Sequence, residues 1–136
     1  MKVEIVDYEA PDAAETLARS LRDTGFAVLK NHPITAERIE AIYDGWGGFF
    51  ASDDKFGYAV QPPAHDGYFA FRSENAKDSQ VKDLKEFFHV YPGCRLPADI
   101  EETTRQVYAD LNSLGLELLG WIQQQAPAEV TGNLSM

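Results

Sequence analysis

An α+β fold follows from three features of this 136-residue sequence. Three stretches place apolar residues at helical spacing, and about four shorter stretches have strand character. Gly- and Pro-bearing turns separate them. Hydrophobic residues make up 44%, with eight Phe, six Tyr and two Trp as bulky core material, a globular rather than a disordered composition. At 15.2 kDa, one domain over residues 1–136 is expected.

The elements follow in order. Val3-Glu4-Ile5-Val6-Asp7 alternates apolar and charged residues as a short strand does. Pro11 and Asp12 open a helix, with Asp12 as cap and Glu15 at the third helical position, as in a capping box. Ala14, Leu17 and Leu21 share one stripe, Gly25 ends the helix, and Phe26 to Leu29 reads as a buried strand. Asn31-His32-Pro33-Ile34 turns the chain, and Thr35 caps a second helix whose face is Ile39, Ile42, Tyr43, Trp46 and Phe49. Gly47-Gly48 weakens its far end. Ser52 to Asp66 reads as an ordered loop rather than a regular element.

Gly67 to Phe71 has aromatic strand character, Arg72 to Lys82 is a polar connection, and Asp83 to Tyr91 is another strand closed by Pro92-Gly93. Asp99 to Gln125 makes the longest helix, with Val107, Leu111, Leu114, Leu118, Trp121 and Ile122 as its core stripe. Gly115 and Gly120 each lower its propensity by about 1 kcal/mol unless a close packing neighbour compensates. Pro127 and Gly132 end it, and Val130 to Met136 resumes an apolar pattern that reads as interrupted.

Charge narrows the function. Twelve Lys and Arg against 22 Asp and Glu give a formal charge of −10, which repels a phosphate backbone and leaves no basic run for nucleic acid. The single Cys94 excludes an internal disulfide and a Cys-based zinc cluster. No apolar run reaches the roughly 20 residues that span a bilayer, and no signal-peptide core is present, so a cytoplasmic setting without membrane association is expected.

A facial iron triad uses His-x-Asp/Glu on a strand because residues i and i+2 share a face. His32, His65 and His89 are followed two residues on by Ile34, Gly67 and Tyr91, so none fits. No nucleophile elbow or phosphate-binding glycine loop occurs, and Gly45-Trp46-Gly47-Gly48 reads as a packing feature. Cys94 lies beside Arg95, which could activate a thiol, although a lone Cys next to a turn is more often incidental. Asp83-x-Lys85-Glu86-x-x-His89 has two readings: sheet-edge alternation, the plainer one, or side chains gathered round a cavity.

Taken in order, several segments resemble one family. Leu21-Arg22-Asp23-Thr24-Gly25-Phe26-Ala27-Val28-Leu29-Lys30-Asn31-His32-Pro33-Ile34 resembles the helix-to-strand junction of isopenicillin N synthase-like oxygenases, with Pro33 where Gly is usual. Phe49-Phe50 with Lys55, then Gly67-Tyr68, then Asp83-Leu84-Lys85-Glu86-Phe87-Phe88 resemble its later motifs. The resemblance runs from about Val3 to Ile122.

The resemblance implies the N-terminal helical and outer-strand part of a distorted jelly-roll, truncated before the catalytic core. It implies Fe(II) and 2-oxoglutarate as cofactors, O2 as oxidant and a small-molecule C–H bond as target. The iron ligands (His-x-Asp and a later His) and the Arg-x-Ser anchor for 2-oxoglutarate fall in the family's C-terminal half, outside this sequence. That half is the implied partner, and this chain alone would be inactive and hold no metal. By position, His65, Phe69 and Phe88 are the implied substrate-binding residues. Arg in place of His65 would be a permanent anion clamp, whereas histidine carries only part of a charge near neutral pH, so a smaller or less anionic substrate is implied. Two rival readings are a non-catalytic acidic interaction module and a degenerate family member.

Overall fold

A computed structural model describes residues 2–73 and 81–127. Eight elements follow one another: β1 (Ile5–Asp7), α1 (Ala13–Thr24), β2 (Val28–Lys30), α2 (Ala36–Ala51), a 3-10 helix (Asp53–Tyr58), β3 (Gly67–Phe69), β4 (Phe87–His89) and α3 (Ala98–Gln125). They form two compact units, Met1–Arg38 with Gln106–Met136, and Ile39–Arg105. The expected apolar tail, Val130 to Met136, lies outside the described residues, as do Gly132 and most of the polar connection after Arg72. No helix among the described residues is long and apolar enough to cross a membrane.

In the first unit, β1 and β2 pair in parallel, Val6 opposite Leu29, with α1 as the crossover. Val6, Ala13 and Leu17 are buried, and Leu21, Ala27, Leu29, Leu118, Trp121 and Ile122 pack on them. Ser20 is buried yet satisfied: its hydroxyl donates to the Phe26 carbonyl at 2.7 Å and accepts from the Glu4 N–H at 3.1 Å. Arg19 grips Glu4 with two hydrogen bonds of 2.8 and 3.0 Å, which holds that carboxyl below its ordinary range. Gly25 closes α1 in the left-handed conformation, φ 78°, donating to the Leu21 carbonyl.

Some expectations change here. Asp12 makes no side-chain cap, because its backbone (φ −103°, ψ 13°) is not extended as a capping residue requires. Phe26 to Leu29 is not a buried strand: Phe26 is 70% exposed and Val28 52%, since a two-stranded ribbon covers only alternate residues. Pro33 is accommodated because Asn31, at φ 57°, takes the left-handed position and ties its side chain to Asp7 at 2.9 Å. The Thr35 hydroxyl accepts from the Arg38 N–H at 3.3 Å, the expected cap of α2. Arg38 pairs with Asp110.

In the second unit, Phe49, Tyr68 and Ile100 are buried, with Trp46, Phe50, Tyr58 and Phe88 against them. The Trp46 indole donates to the buried Thr104 hydroxyl at 3.1 Å. Gly45 is a packing feature as expected, since a Cβ there would lie 2.7 Å from Ile100 Cγ2. Gly47 and Gly48 do not end α2, which continues to Ala51, and Tyr43 is 76% exposed rather than part of the core face. The stretch expected as an irregular loop contains the 3-10 helix, started by Ser52, whose hydroxyl accepts from the Asp54 N–H at 3.1 Å. β3 and β4 pair antiparallel over three residues each, shorter than the sequence suggests. In α3, Leu114 is buried and Leu118, Trp121 and Ile122 reach the first core, whereas Leu111 is exposed.

Gly67 has φ 110°, and a Cβ there would meet the Tyr58 carbonyl at 2.7 Å. Gly67→Ala is expected to lower stability by about 1–3 kcal/mol in urea unfolding, from backbone strain and this clash. Gly57→Ala, with no atom within 4 Å of its Cβ position, is the control and should leave the midpoint nearly unchanged.

Candidate functional site

The short β3–β4 ribbon organises the site because its two faces differ. Tyr68 pairs with Phe88, and Phe69 with Phe87. Alternation along a strand sends Tyr68 and Phe88 to one face and Phe69, Phe87 and His89 to the other.

The Tyr68–Phe88 face is the buried one. Phe49 packs its ring edge-on to Tyr58, Tyr68 and Phe88, with centroids 5.7, 6.4 and 5.7 Å away. At the margin of this cluster, the Lys55 ammonium donates to Glu86 Oε2 at 3.0 Å and to the Phe50 carbonyl at 2.6 Å. The Tyr68 hydroxyl donates to the same Glu86 oxygen at 2.5 Å. The Lys55 and Glu86 side chains are only 16% and 29% exposed, so the pair is screened less than a surface ion pair. Burial first, and the Glu86 carboxylate second, push the Tyr68 hydroxyl up to about 12. The hydrogen bond from Tyr68, then that from Lys55, hold Glu86 below its ordinary range. Lys85 does not join them and pairs with Asp83 at 3.3 Å, so the plainer sheet-edge reading holds for Lys85 while Glu86 turns inward.

The opposite face is aromatic and more open. Phe69 and Phe87 stack with centroids 4.6 Å apart and planes within 9°. The His89 ring lies 4.8 Å from both. His89 Nδ1 donates to the His65 carbonyl at 3.2 Å, which brings the exposed His65 to the rim of this face. Of the three residues picked out by sequence, Phe69 lies on this face, His65 reaches it through its backbone carbonyl on His89, and Phe88 lies across the ribbon in the aromatic core. Sequence reasoning missed Phe87 and His89. Their i, i+2 spacing is a usable signal, but the register that sets them opposite Phe69 and Gly67 is a tertiary fact.

Among the described residues, no three His, Cys, Asp or Glu side chains converge as metal ligands would. These described residues do not fit an iron centre. Cys94 is buried, and Arg95 donates to the Gly57 carbonyl and sets its guanidinium 4.3 Å from the Tyr58 ring centroid. A broad cleft elsewhere in this unit is walled by Asp44, Asp54 and Asp99, with no histidine on it.

Comparison with known proteins places this arrangement. Residues 3–111 match a family described as the N-terminal region of the non-haem dioxygenase in morphine synthesis. The crystal structure of a candidate oxygenase from Shewanella oneidensis is similar, with a TM-score of 0.84 at 41% identity. The match covers 97% of this chain and 46% of that one. A candidate 2OG-Fe(II) oxygenase family protein from Caulobacter crescentus gives a TM-score of 0.66 at 28% identity, covering 90% of this chain and 48% of that one. The chain thus spans about half the length of the solved proteins it resembles. No curated protein sequence matches it significantly.

Two outcomes follow from the Lys55–Glu86–Tyr68 group. Glu86→Ala strands a shielded ammonium and a phenol, and is expected to destabilise by about 1–3 kcal/mol in urea, with Glu86→Gln losing less because it still accepts from Tyr68. The Glu86 contribution is present above the ordinary carboxylate value of 4.5 and falls away as pH drops through the lowered folded value. The Tyr68 contribution is present below 10.0 and falls away as pH rises towards about 12. In an alkaline titration followed by phenolate absorbance, Tyr68→Phe should remove a late-titrating phase. Tyr8, also raised by its hydrogen bond to Glu117, keeps a late phase of its own, so an unchanged late amplitude would mean that Tyr68 is not shielded as described.

Proposed function

The chain belongs to the N-terminal family of non-haem dioxygenases, and on that premise we propose that it is the scaffold and substrate-pocket part of an Fe(II)- and 2-oxoglutarate-dependent oxygenase acting on a small-molecule C–H bond. The observation that carries this reading is the match over 97% of this chain to 46% of an oxygenase-like structure at 41% identity. In this reading the remaining half builds the distorted jelly-roll and holds iron and 2-oxoglutarate. When bound, those groups supply the oxidising chemistry. The residues described here contribute shape and recognition.

The assigned roles follow from the two faces of the ribbon. His65 and Phe69 line the substrate side. Phe88 acts from the far face, where its packing with Trp46 (centroids 4.9 Å) and Phe49 fixes the strand that carries Phe87 and His89. His65 can offer a hydrogen bond to a polar substrate group, since its side chain is exposed while its carbonyl is anchored to His89.

In the full-length enzyme, His65→Ala is expected to raise the substrate KM by about tenfold, the loss of one hydrogen bond to a polar or charged group. Iron content should stay that of the parent, measured by metal analysis on the same preparations. Loss of iron would remove His65 from the substrate side. Residues 1–136 alone should neither bind Fe(II) stoichiometrically nor consume 2-oxoglutarate, and turnover by that segment would overturn the division of roles.

A further inference from the structure

The open face of the β3–β4 ribbon carries a polar atom whose role its neighbours fix. His89 stands opposite Gly67 in the ladder, so the strand pairing holds its backbone. Its ring is held by the hydrogen bond that Nδ1 donates to the His65 carbonyl at 3.2 Å. A carbonyl has no proton to give, so Nδ1 carries the hydrogen. In the neutral imidazole that leaves Nε2 as a bare acceptor, because the bond made by one ring nitrogen sets the state of the other. His89 is exposed, and among the described residues no hydrogen-bond partner meets Nε2.

The surroundings of that acceptor are flat and apolar. Phe69 and Phe87 stack with centroids 4.6 Å apart, and the imidazole lies 4.8 Å from each, tilted by 54° and 47°. Such a wall takes a planar ring face-on or edge-on, a contact that a puckered aliphatic ring forfeits. The Lys85 ammonium lies 5.0 Å from the Phe87 centroid, but Asp83 pairs with it at 3.3 Å. It therefore offers an anion no free charge.

We propose that His89 sets the specificity of this face, selecting a neutral, planar aromatic substrate that donates an O–H or N–H to Nε2. This rests on the reading of the face as the substrate side of an oxygenase. His89 acts there as an acceptor for the ring substituent, and Phe69 and Phe87 receive the ring.

The test uses the full-length protein and three probes, with affinities read by ligand-observed NMR titration. Phenol offers an O–H on a planar ring, anisole removes the donor, and cyclohexanol removes the planarity. Phenol is expected to bind about tenfold more tightly than anisole, the difference one hydrogen bond makes, and more tightly than cyclohexanol. His89→Asn keeps an N–H for the His65 carbonyl but puts nothing at the Nε2 position, so it should bind phenol and anisole alike. His89→Gln can place its amide oxygen near that position and should retain most of the preference. Equal binding of phenol and anisole by the unsubstituted protein overturns the proposal without any variant. A preference that survives His89→Asn also overturns it. Loss of the preference in His89→Gln as well marks a merely structural role and overturns it too. Cyclohexanol binding as tightly as phenol overturns the aromatic part.

Iron content and 2-oxoglutarate consumption of the same preparation keep this apart from the underlying reading. An iron-loaded, active protein indifferent between phenol and anisole sinks the His89 assignment alone. A protein without iron or turnover that shows the His89-dependent preference supports the assignment and sinks the oxygenase reading.

Discussion

The second unit depends on one carboxylate. Glu86 accepts from Lys55 and from Tyr68, and Lys55 also reaches back to the last turn of α2 through the Phe50 carbonyl. One side chain thereby ties together α2, the 3-10 helix, β3 and the start of β4. Two three-residue strands have too few ladder hydrogen bonds to fix their own register, since an isolated ribbon is marginal in water. A charge-assisted group on the Tyr68 hydroxyl and the aromatic packing around Phe49 supply what the ladder lacks. Once Tyr68 and Phe88 are held inward, Phe69, Phe87 and His89 have no choice but the other face. The aromatic outer face is thus a consequence of how the buried side is pinned.

This explains why the recognisable motifs sit where they do. Phe49-Phe50, Lys55, Gly67-Tyr68 and Glu86 look like separate signals along the sequence, yet they meet in one cluster. Gly67 belongs to it for a backbone reason: its positive φ and the approach of the Tyr58 carbonyl exclude a side chain. These motifs mark one packing cluster.

Much of the fold was legible because helices announce themselves locally. The spacing of Trp46 and Phe49, the cap at Thr35, the stop at Gly25 and the core stripe from Leu114 to Ile122 all follow from period and punctuation. The strands were overcalled in length, because apolar alternation reports the capacity to pair and not where a partner ends. Phe26 and Val28 read as buried for that reason, and they are exposed. The 3-10 helix was missed because its capping Ser52 and Asp53-Asp54 also suit an irregular loop. At the candidate site, the sequence reading grouped His65, Phe69 and Phe88 by position. The register separates Phe88 from Phe69 and sets Phe87 and His89 beside it, which a strand of unknown pairing does not reveal.

The division between a scaffold half and a metal-bearing half is tested most directly by the intact mass of the protein from its native source, read with the coding frame beyond Met136. The expected product has about twice the 15.2 kDa mass of this chain, with His-x-Asp and a later His in the added sequence. A natural product of 15.2 kDa would contradict that division and leave a binding module with an oxygenase-like scaffold.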